Sequence, residues 1–374
     1  MKKAYLILEN GKVFQGVRYD DADIEPVGEL AFNTAMTGYL ESITDPSYYG
    51  QMLIQTFPLI GNYGVIPEDF ESEKVHLKSY IINKLCDLPG NFRSEGSLGD
   101  YLTGQNVPVF LLKDTRNLTK IVREQGVMNA VISYTPQLTS AKLNAMKTYK
   151  VEKAVGAVTS PERKTYPAHS PVDHHKEKSS KHKTKRIALM DYGTKKNIVR
   201  ELNKRGCEVI LCPADTKASD VVQIKPDGIL LSNGPGDPAE NVQVIQQIKE
   251  LVDSGIPIFG ICLGHQLLAL AKEAKTTKMG YGHRGANQPV MDTETQKVYI
   301  TSQNHGYCVD NNTLPQNART LFTNVNDGTG EGIIYNDFPA FSVQFHPEAC
   351  GGPLDTNFLF DDFMKMIEEV NINA

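Results

Sequence analysis

Gly260-Ile261-Cys262-Leu263-Gly264-His265-Gln266 decides how the C-terminal half of this 374-residue chain is read. It follows the apolar run Ile256-Pro257-Ile258-Phe259 and precedes Leu267-Leu268-Ala269-Leu270-Ala271, so the pattern predicts a strand, a tight turn carrying a cysteine, and a helix. A Gly-x-Cys-x-Gly turn in that setting is the thiol counterpart of a nucleophile elbow. Its flanking glycines let the backbone bend where a side chain would clash. The sulfur is then held at the carboxyl end of a sheet, where the start of the next helix offers N–H groups and a partial positive charge that favour thiolate. A buried structural cysteine is the competing reading, since free cysteine is among the most buried residue types. A partner base elsewhere in the chain weighs against it.

Phe341-Ser342-Val343-Gln344-Phe345-His346-Pro347-Glu348 supplies that partner. It reads as a strand running into a turn, and His346 and Glu348, two apart, share a face of an extended chain. An imidazole takes the thiol proton and later donates it to a leaving amine, while the carboxylate fixes the tautomer and stabilises the imidazolium. Alone, a His-x-Glu pair reads as a solvated turn. A third segment, Asp227-Gly228-Ile229-Leu230-Leu231-Ser232-Asn233-Gly234-Pro235-Gly236-Asp237-Pro238, reads as a buried strand ending in a glycine-rich loop. Gly234 and Leu263 are the candidate N–H donors to an oxyanion, although a stretch so rich in turn formers is also read as a plain turn.

Together, Ser232 to Pro238, Gly260 to Gln266 and His346 to Glu348 resemble the class I (triad-type) glutamine amidotransferases. The resemblance implies hydrolysis of the glutamine side-chain amide. Cys262 is the nucleophile, His346 the base and then the acid, and Glu348 the group that orients it. The rest of the chain narrows this. Phe32-Asn33-Thr34-Ala35-Met36-Thr37-Gly38-Tyr39, Thr44-Asp45-Pro46-Ser47-Tyr48, Pro58-Leu59-Ile60-Gly61-Asn62-Tyr63-Gly64, Asp114-Thr115-Arg116-Asn117-Leu118-Thr119 and Ser302-Gln303-Asn304-His305-Gly306-Tyr307 closely resemble the small, glutamine-hydrolysing subunit of carbamoyl phosphate synthetase. From that family, Ser47, Gly234, Gly236, Leu263, Gln266, Asn304, Gly306 and Tyr307 are implied to contact glutamine, with Ser47 contributed by the N-terminal domain near the domain interface. Hydroxyl, amide and bare-backbone groups suit an amino-acid ligand, which needs acceptors for its ammonium and donors for its carboxylate. His305 either supports the site or satisfies a turn. Cys350 and Gly90 stand where serine is common and Tyr307 where phenylalanine is frequent; these departures bear on fine specificity and leave the triad untouched.

The fold class expected is α/β: an N-terminal mixed β/α domain (1–150), a basic and polar linker (151–185), and a class I glutamine amidotransferase domain (186–374) with a mainly parallel sheet covered by helices. The linker contains the run His174-His175-Lys176-Glu177-Lys178-Ser179-Ser180-Lys181-His182-Lys183-Thr184-Lys185-Arg186, read as a solvated connector. After it, Ile187 to Gly193 reads as a strand, Asn197 to Arg205 as a helix and Cys207 to Leu211 as a strand, the alternation of a parallel sheet. Phe360, Phe363, Met364 and Ile367 recur at helical spacing and read as core packing.

Composition agrees: 40% of residues are hydrophobic, enough for two cores. There is no apolar run of about 18 residues, so no transmembrane helix is expected. Met1 to Glu9 reads as a strand entering an Asn10-Gly11 hairpin and not as a signal peptide. The six cysteines show no Cys-x-x-Cys pair, which argues against a metal site and for a cytosolic, hence cytoplasmic, thiol enzyme. A net charge of −5 gives no reason to expect nucleic acid. No Gly-x-x-x-x-Gly-Lys-Ser/Thr loop for ATP occurs. The resemblance therefore implies no cofactor on this chain and a large synthetase subunit, forming a heterodimer with it, that binds ATP and magnesium and receives the ammonia. Whether arginine or pyrimidine synthesis is served is not readable. Two other readings remain open: a stand-alone γ-glutamyl hydrolase or cysteine peptidase, and a non-catalytic scaffold.

Overall fold

The computed structural model describes residues 1–20, 23–168 and 184–373. They form two compact units. The first comprises Met1–Ala154 and Met279–Ala286, and the second takes the rest.

In the first unit, seven strands close into a barrel in the order Lys2–Leu8, Val13–Arg18, Val109–Leu111, Ser79–Ile82, Gln51–Gln55, Val27–Asn33 and Asn129–Ser133. The first two form the hairpin read from Asn10-Gly11. Leu8 N donates to Lys12 O at 2.8 Å, and Gly11 takes a φ of 85° that its missing Cβ makes cheap. Closure comes from Asn129–Ser133 pairing antiparallel with Lys2–Leu8. Side chains alternate across the barrel wall. Leu30, Phe32, Met52, Ile54 and Ile132 enter one cluster, while Ala31, Leu53, Tyr80 and Ile82 enter another. The helix Thr115–Gln125 starts where Asp114 caps it by accepting from Asn117 N. The segment 279–286 joins this unit through Val127 N, which donates to Gly280 O at 2.8 Å, and through the Phe32–Tyr281 ring contact.

The second unit is built on a ten-stranded sheet. Its centre is parallel and runs Glu208–Pro213, Arg186–Asp191, Gly228–Leu231, Ile258–Ile261, Ala340–Val343. These strands are mostly apolar, with charged residues only at their ends, because both faces are covered. Ala188, Met190, Ile229, Leu231 and Ile258 pack with residues of the helices Val242–Val252 and Leu263–Ala271. Ile187, Leu189, Leu230, Phe259 and Ile261 pack on the opposite face with Ile198 and Leu202 of the helix Lys196–Lys204, and with Phe360, Phe363, Met364 and Ile367 of Leu359–Asn373. The apolar stripe near the C-terminus is thus core. Antiparallel strands extend the sheet on the far side of Ala340–Val343, through Gly330–Tyr335 and Ala318–Asn324 to the long strands Thr276–Asp292 and Val298–Val309.

The stretch expected to be a connector differs at its start. Ala154–Val158 is a short helix, and Lys164–Tyr166 pairs antiparallel with Glu208–Pro213 at the sheet edge. Three residues are too few for an alternation pattern, so the edge's open hydrogen-bonding groups decide the pairing. Residues 174–183 of the basic run lie outside the described residues. No helix among the described residues is long and apolar enough to cross a membrane.

Candidate active site

Strand Ile258–Ile261 ends at Cys262, and helix Leu263–Ala271 begins one residue later. The reversal is taken up by Cys262 itself, which sits at φ 54°, ψ −102°. A non-glycine residue there costs about 1–3 kcal/mol, held only because the surroundings over-determine it. Cys262 N donates to Val343 O at 2.8 Å and Gly264 N to Ser232 O at 2.9 Å, which pins both arms of the turn to neighbouring strand ends. The flanking glycines serve close approach. A Cβ on Gly264 would lie 2.2 Å from Leu231 O, and one on Gly260 would lie 3.0 Å from the Gly264 backbone. Cys262 is 2% exposed, its Sγ 3.7 Å from Asn304 O.

His346 and Glu348 follow strand Ala340–Val343 in a turn, closed by Ala349 N donating to His346 O, that brings the two side chains together. Glu348 Oε1 lies 2.7 Å from His346 Nδ1, and both residues are buried. His346 N donates to Ser302 O, and Asn197 Nδ2 donates to Glu348 O, so the backbone of the pair is held from two sides. Lys195, itself buried, places Nζ 3.4 Å from Glu348 Oε1 and 3.2 Å from His346 Nδ1. One carboxylate oxygen therefore serves two cations. Burial and the Lys195 ammonium both pull the His346 pKa down, but the Glu348 carboxylate and Cys262 outweigh them and raise it. Burial pushes Glu348 up, and His346 and Lys195 together bring it below the ordinary carboxylate range. With Nδ1 bonded to the carboxylate, Nε2 is the nitrogen left to exchange a proton with a thiol or an amine.

The loop after Gly228–Leu231 is tied to the loop that carries Lys195. Tyr192 N donates to Ser232 Oγ at 2.9 Å and Lys195 N to Asn233 Oδ1 at 3.1 Å. Gly234 must be glycine for space, since a Cβ would lie 2.1 Å from Tyr192 O and 2.7 Å from Leu263 Cδ2; Gly236 needs its freedom for a φ of 90°. Leu263 is the first residue of its helix, so its N–H has no partner within the helix. Gln266 Nε2 donates to Tyr307 O at 2.8 Å, which binds the helix to the strand that carries Asn304, Gly306 and Tyr307. His305 is buried beneath that strand turn, its ring nitrogens 2.7 Å from Tyr307 O and 2.9 Å from Gln303 Oε1.

The second unit thus gathers Cys262, His346, Glu348, Gly234, Gly236, Leu263, Gln266, Asn304, Gly306 and Tyr307. Ser47 belongs to the first unit, in the turn Pro46–Tyr48, where its N–H is held by Asp45 Oδ1. Lys195, Asn197 and Gln344 were not read from sequence. A loop lysine gives no signal of its own, but Gln344 stands two residues before His346 and is legible in hindsight.

Two family models match the chain: "Carbamoyl-phosphate synthase small chain, CPSase domain" over residues 6–132, and "Glutamine amidotransferase class-I" over residues 188–366. Among curated relatives, the carbamoyl phosphate synthase small chain of Bacillus thuringiensis subsp. konkukian is 45% identical over 368 residues, 98% of this chain and 96% of that one. The protein of the same name from Clostridium perfringens is 45% identical over 363 residues, 97% of this chain and 99% of that one. That from Symbiobacterium thermophilum is 40% identical over 375 residues, 98% and 99% of the two chains. Identity of this order, sustained over nearly the whole of both chains and across both family models, makes this protein a member of the carbamoyl phosphate synthase small chain family.

Proposed function

We propose that this chain hydrolyses L-glutamine and supplies the ammonia to a large synthetase subunit, which makes carbamoyl phosphate from bicarbonate with ATP and magnesium. The observation that carries the reading is the buried cluster in which Cys262, at a strained elbow, faces an imidazole whose far nitrogen is bonded to Glu348. The Cys262 thiolate attacks the side-chain amide carbon of glutamine. The N–H groups of Gly234 and Leu263 receive the developing oxyanion, worth about 3–4 kcal/mol per donor in comparable sites. The C–N bond then breaks as His346 gives its proton to the leaving amine, and ammonia departs. Water attacks the glutamyl thioester, His346 accepts its proton, and the carbon–sulfur bond breaks to release glutamate and return the thiolate. Glu348 holds the imidazole in the tautomer that leaves Nε2 at the sulfur and offsets its charge. Gln266, Asn304, Gly306, Tyr307 and Gly236 line the glutamine position.

The test is Cys262→Ser in the assembled complex. Glutamine-dependent carbamoyl phosphate synthesis is lost, while synthesis from added ammonia persists. Retained glutamine use would remove Cys262 as nucleophile, and loss of both activities in an intact complex would count against ammonia supply as this chain's role.

A further inference from the structure

The side-chain amide of Gln344 lies behind the nucleophile, and its orientation is fixed from a distance. Tyr307's backbone carbonyl can only accept, so Gln266, with Nε2 2.8 Å away, must turn its NH2 group there. The second hydrogen on the same nitrogen faces Gln344 at 2.9 Å, so Gln344 must present Oε1. The other end of the Gln344 amide is then an NH2 group, and it lies 3.6 Å from Cys262 Sγ. Amide orientation is assigned from the hydrogen-bond network, and an acceptor-only carbonyl at one end leaves a single assignment.

The carbonyl that sets this order is itself held. His305 Nδ1 donates to it at 2.7 Å, His305 Nε2 lies 2.9 Å from Gln303 Oε1, and Gln303 Nε2 donates to the buried Glu331 carboxylate at 3.1 Å. Gln344 N also donates to Glu331 O at 2.9 Å. A chain of bonded groups therefore runs from the Tyr307 carbonyl through Gln266 and Gln344 to the sulfur. Gln344 is 0% exposed, so water does not compete for its amide.

We propose that Gln344 is a positioning residue for the nucleophile: its Nε2–H donates to the Cys262 sulfur, fixing its direction for attack, and ties that sulfur through Gln266 to the glutamine-binding side of the site. A thiolate accepts such a bond far better than the sulfur of a thioester, so the donor acts when the thiolate attacks and again when it is expelled. Both hydrogens of Gln266 Nε2 are committed to this chain, which leaves Gln266 its oxygen to offer a ligand.

The kinetic arm of the test rests on the glutaminase reading, and the chemical arm does not. In the full-length chain, Gln344→Met removes the donor at similar size, and Gln344→Glu keeps shape and the bond from Gln266 while aiming a carboxylate oxygen at the sulfur. Losing one such donor slows alkylation of Cys262 by iodoacetamide at neutral pH about 5–10-fold and lowers glutaminase kcat by a similar factor, with KM within about 3-fold. Gln344→Glu loses about 100-fold, as expected where an unpaired charge faces a thiolate. Thermal melting follows both variants; should the methionine variant be unfolded, the glutamate variant decides alone. Alkylation and kcat within about twofold of the parent in a folded variant overturn the proposal, since that is below the effect of one hydrogen bond. If the parent chain and its complex hydrolyse no glutamine, the proposed function fails while the alkylation rates still judge Gln344.

Discussion

Cys207 and Cys262 lie in the same unit, at 0% and 2% exposure, yet their surroundings prepare them for opposite fates. Cys207 enters the strand Glu208–Pro213 in ordinary backbone, with Met364 Sδ 3.4 Å from its sulfur and the helix Leu359–Asn373 packed over it. Burial pushes its thiol up to about 11, so it stays protonated and packs as a small apolar side chain. Cys262 ends its strand at a positive φ, faces His346, and receives the Gln344 amide. Burial is common to both. What differs is the backbone conformation and the charged and polar groups aimed at the sulfur, and these arise where strand ends meet, not along the strand.

Removing each thiol in turn is the severest test of that contrast. Cys262→Ser lowers glutamine hydrolysis by at least about 1,000-fold, as loss of a nucleophile does elsewhere. Cys207→Ala leaves the rate within about twofold and lowers stability by about 1 kcal/mol, read by denaturant unfolding. A comparable loss of rate from Cys207→Ala would erase the distinction.

The charge cluster sharpens it next. Glu348→Gln lowers kcat about 100-fold or more by removing the acceptor that fixes the His346 tautomer. Lys195→Met has the smaller effect, about 10-fold. With the ammonium gone, nothing but burial opposes the raised His346 pKa, and the imidazolium becomes a poorer acid toward the leaving amine. Equal rates in Lys195→Met and parent, measured as kcat across pH 6–9 (roughly the range about its working proton), would show that the lysine only neutralises Glu348.

The smallest effect is on stability. His346 is raised above its ordinary 6.5, so its contribution is fully present below that value and is lost as pH rises through the raised pKa. Glu348 is lowered from 4.5, so its contribution is present above that value and is lost as pH falls through the lowered pKa. Both act together between those ordinary values. Glu348→Gln flattens the melting temperature on the acid side of that window, while Cys207→Ala leaves the shape of the curve unchanged.

Much of this site was legible because its signals are local. The elbow is a short stretch whose glycines, cysteine and helix follow one another, and His346 and Glu348 stand two apart in one short segment. Alternating apolar runs and helical stripes pointed to parallel strands covered by helices, but not to the order in which those strands lie. What stayed hidden depends on distant partners. Lys195 meets His346 across 151 positions, because the Tyr192–Lys195 loop is tied to Ser232 and Asn233. The barrel of the first unit closes by pairing Tyr5 with Ser133, a register that no window of sequence contains. Lys164–Tyr166 is too short to announce itself as a strand.

The most direct measurement is labelling of the full-length chain with a chloroketone analogue of glutamine, followed by peptide mapping. The account predicts that the label falls on Cys262 alone, that glutamine protects it, that loss of glutaminase activity tracks its incorporation, and that Cys207 stays unmodified. Inactivation with the label on another residue, or full activity with Cys262 fully labelled, would contradict it.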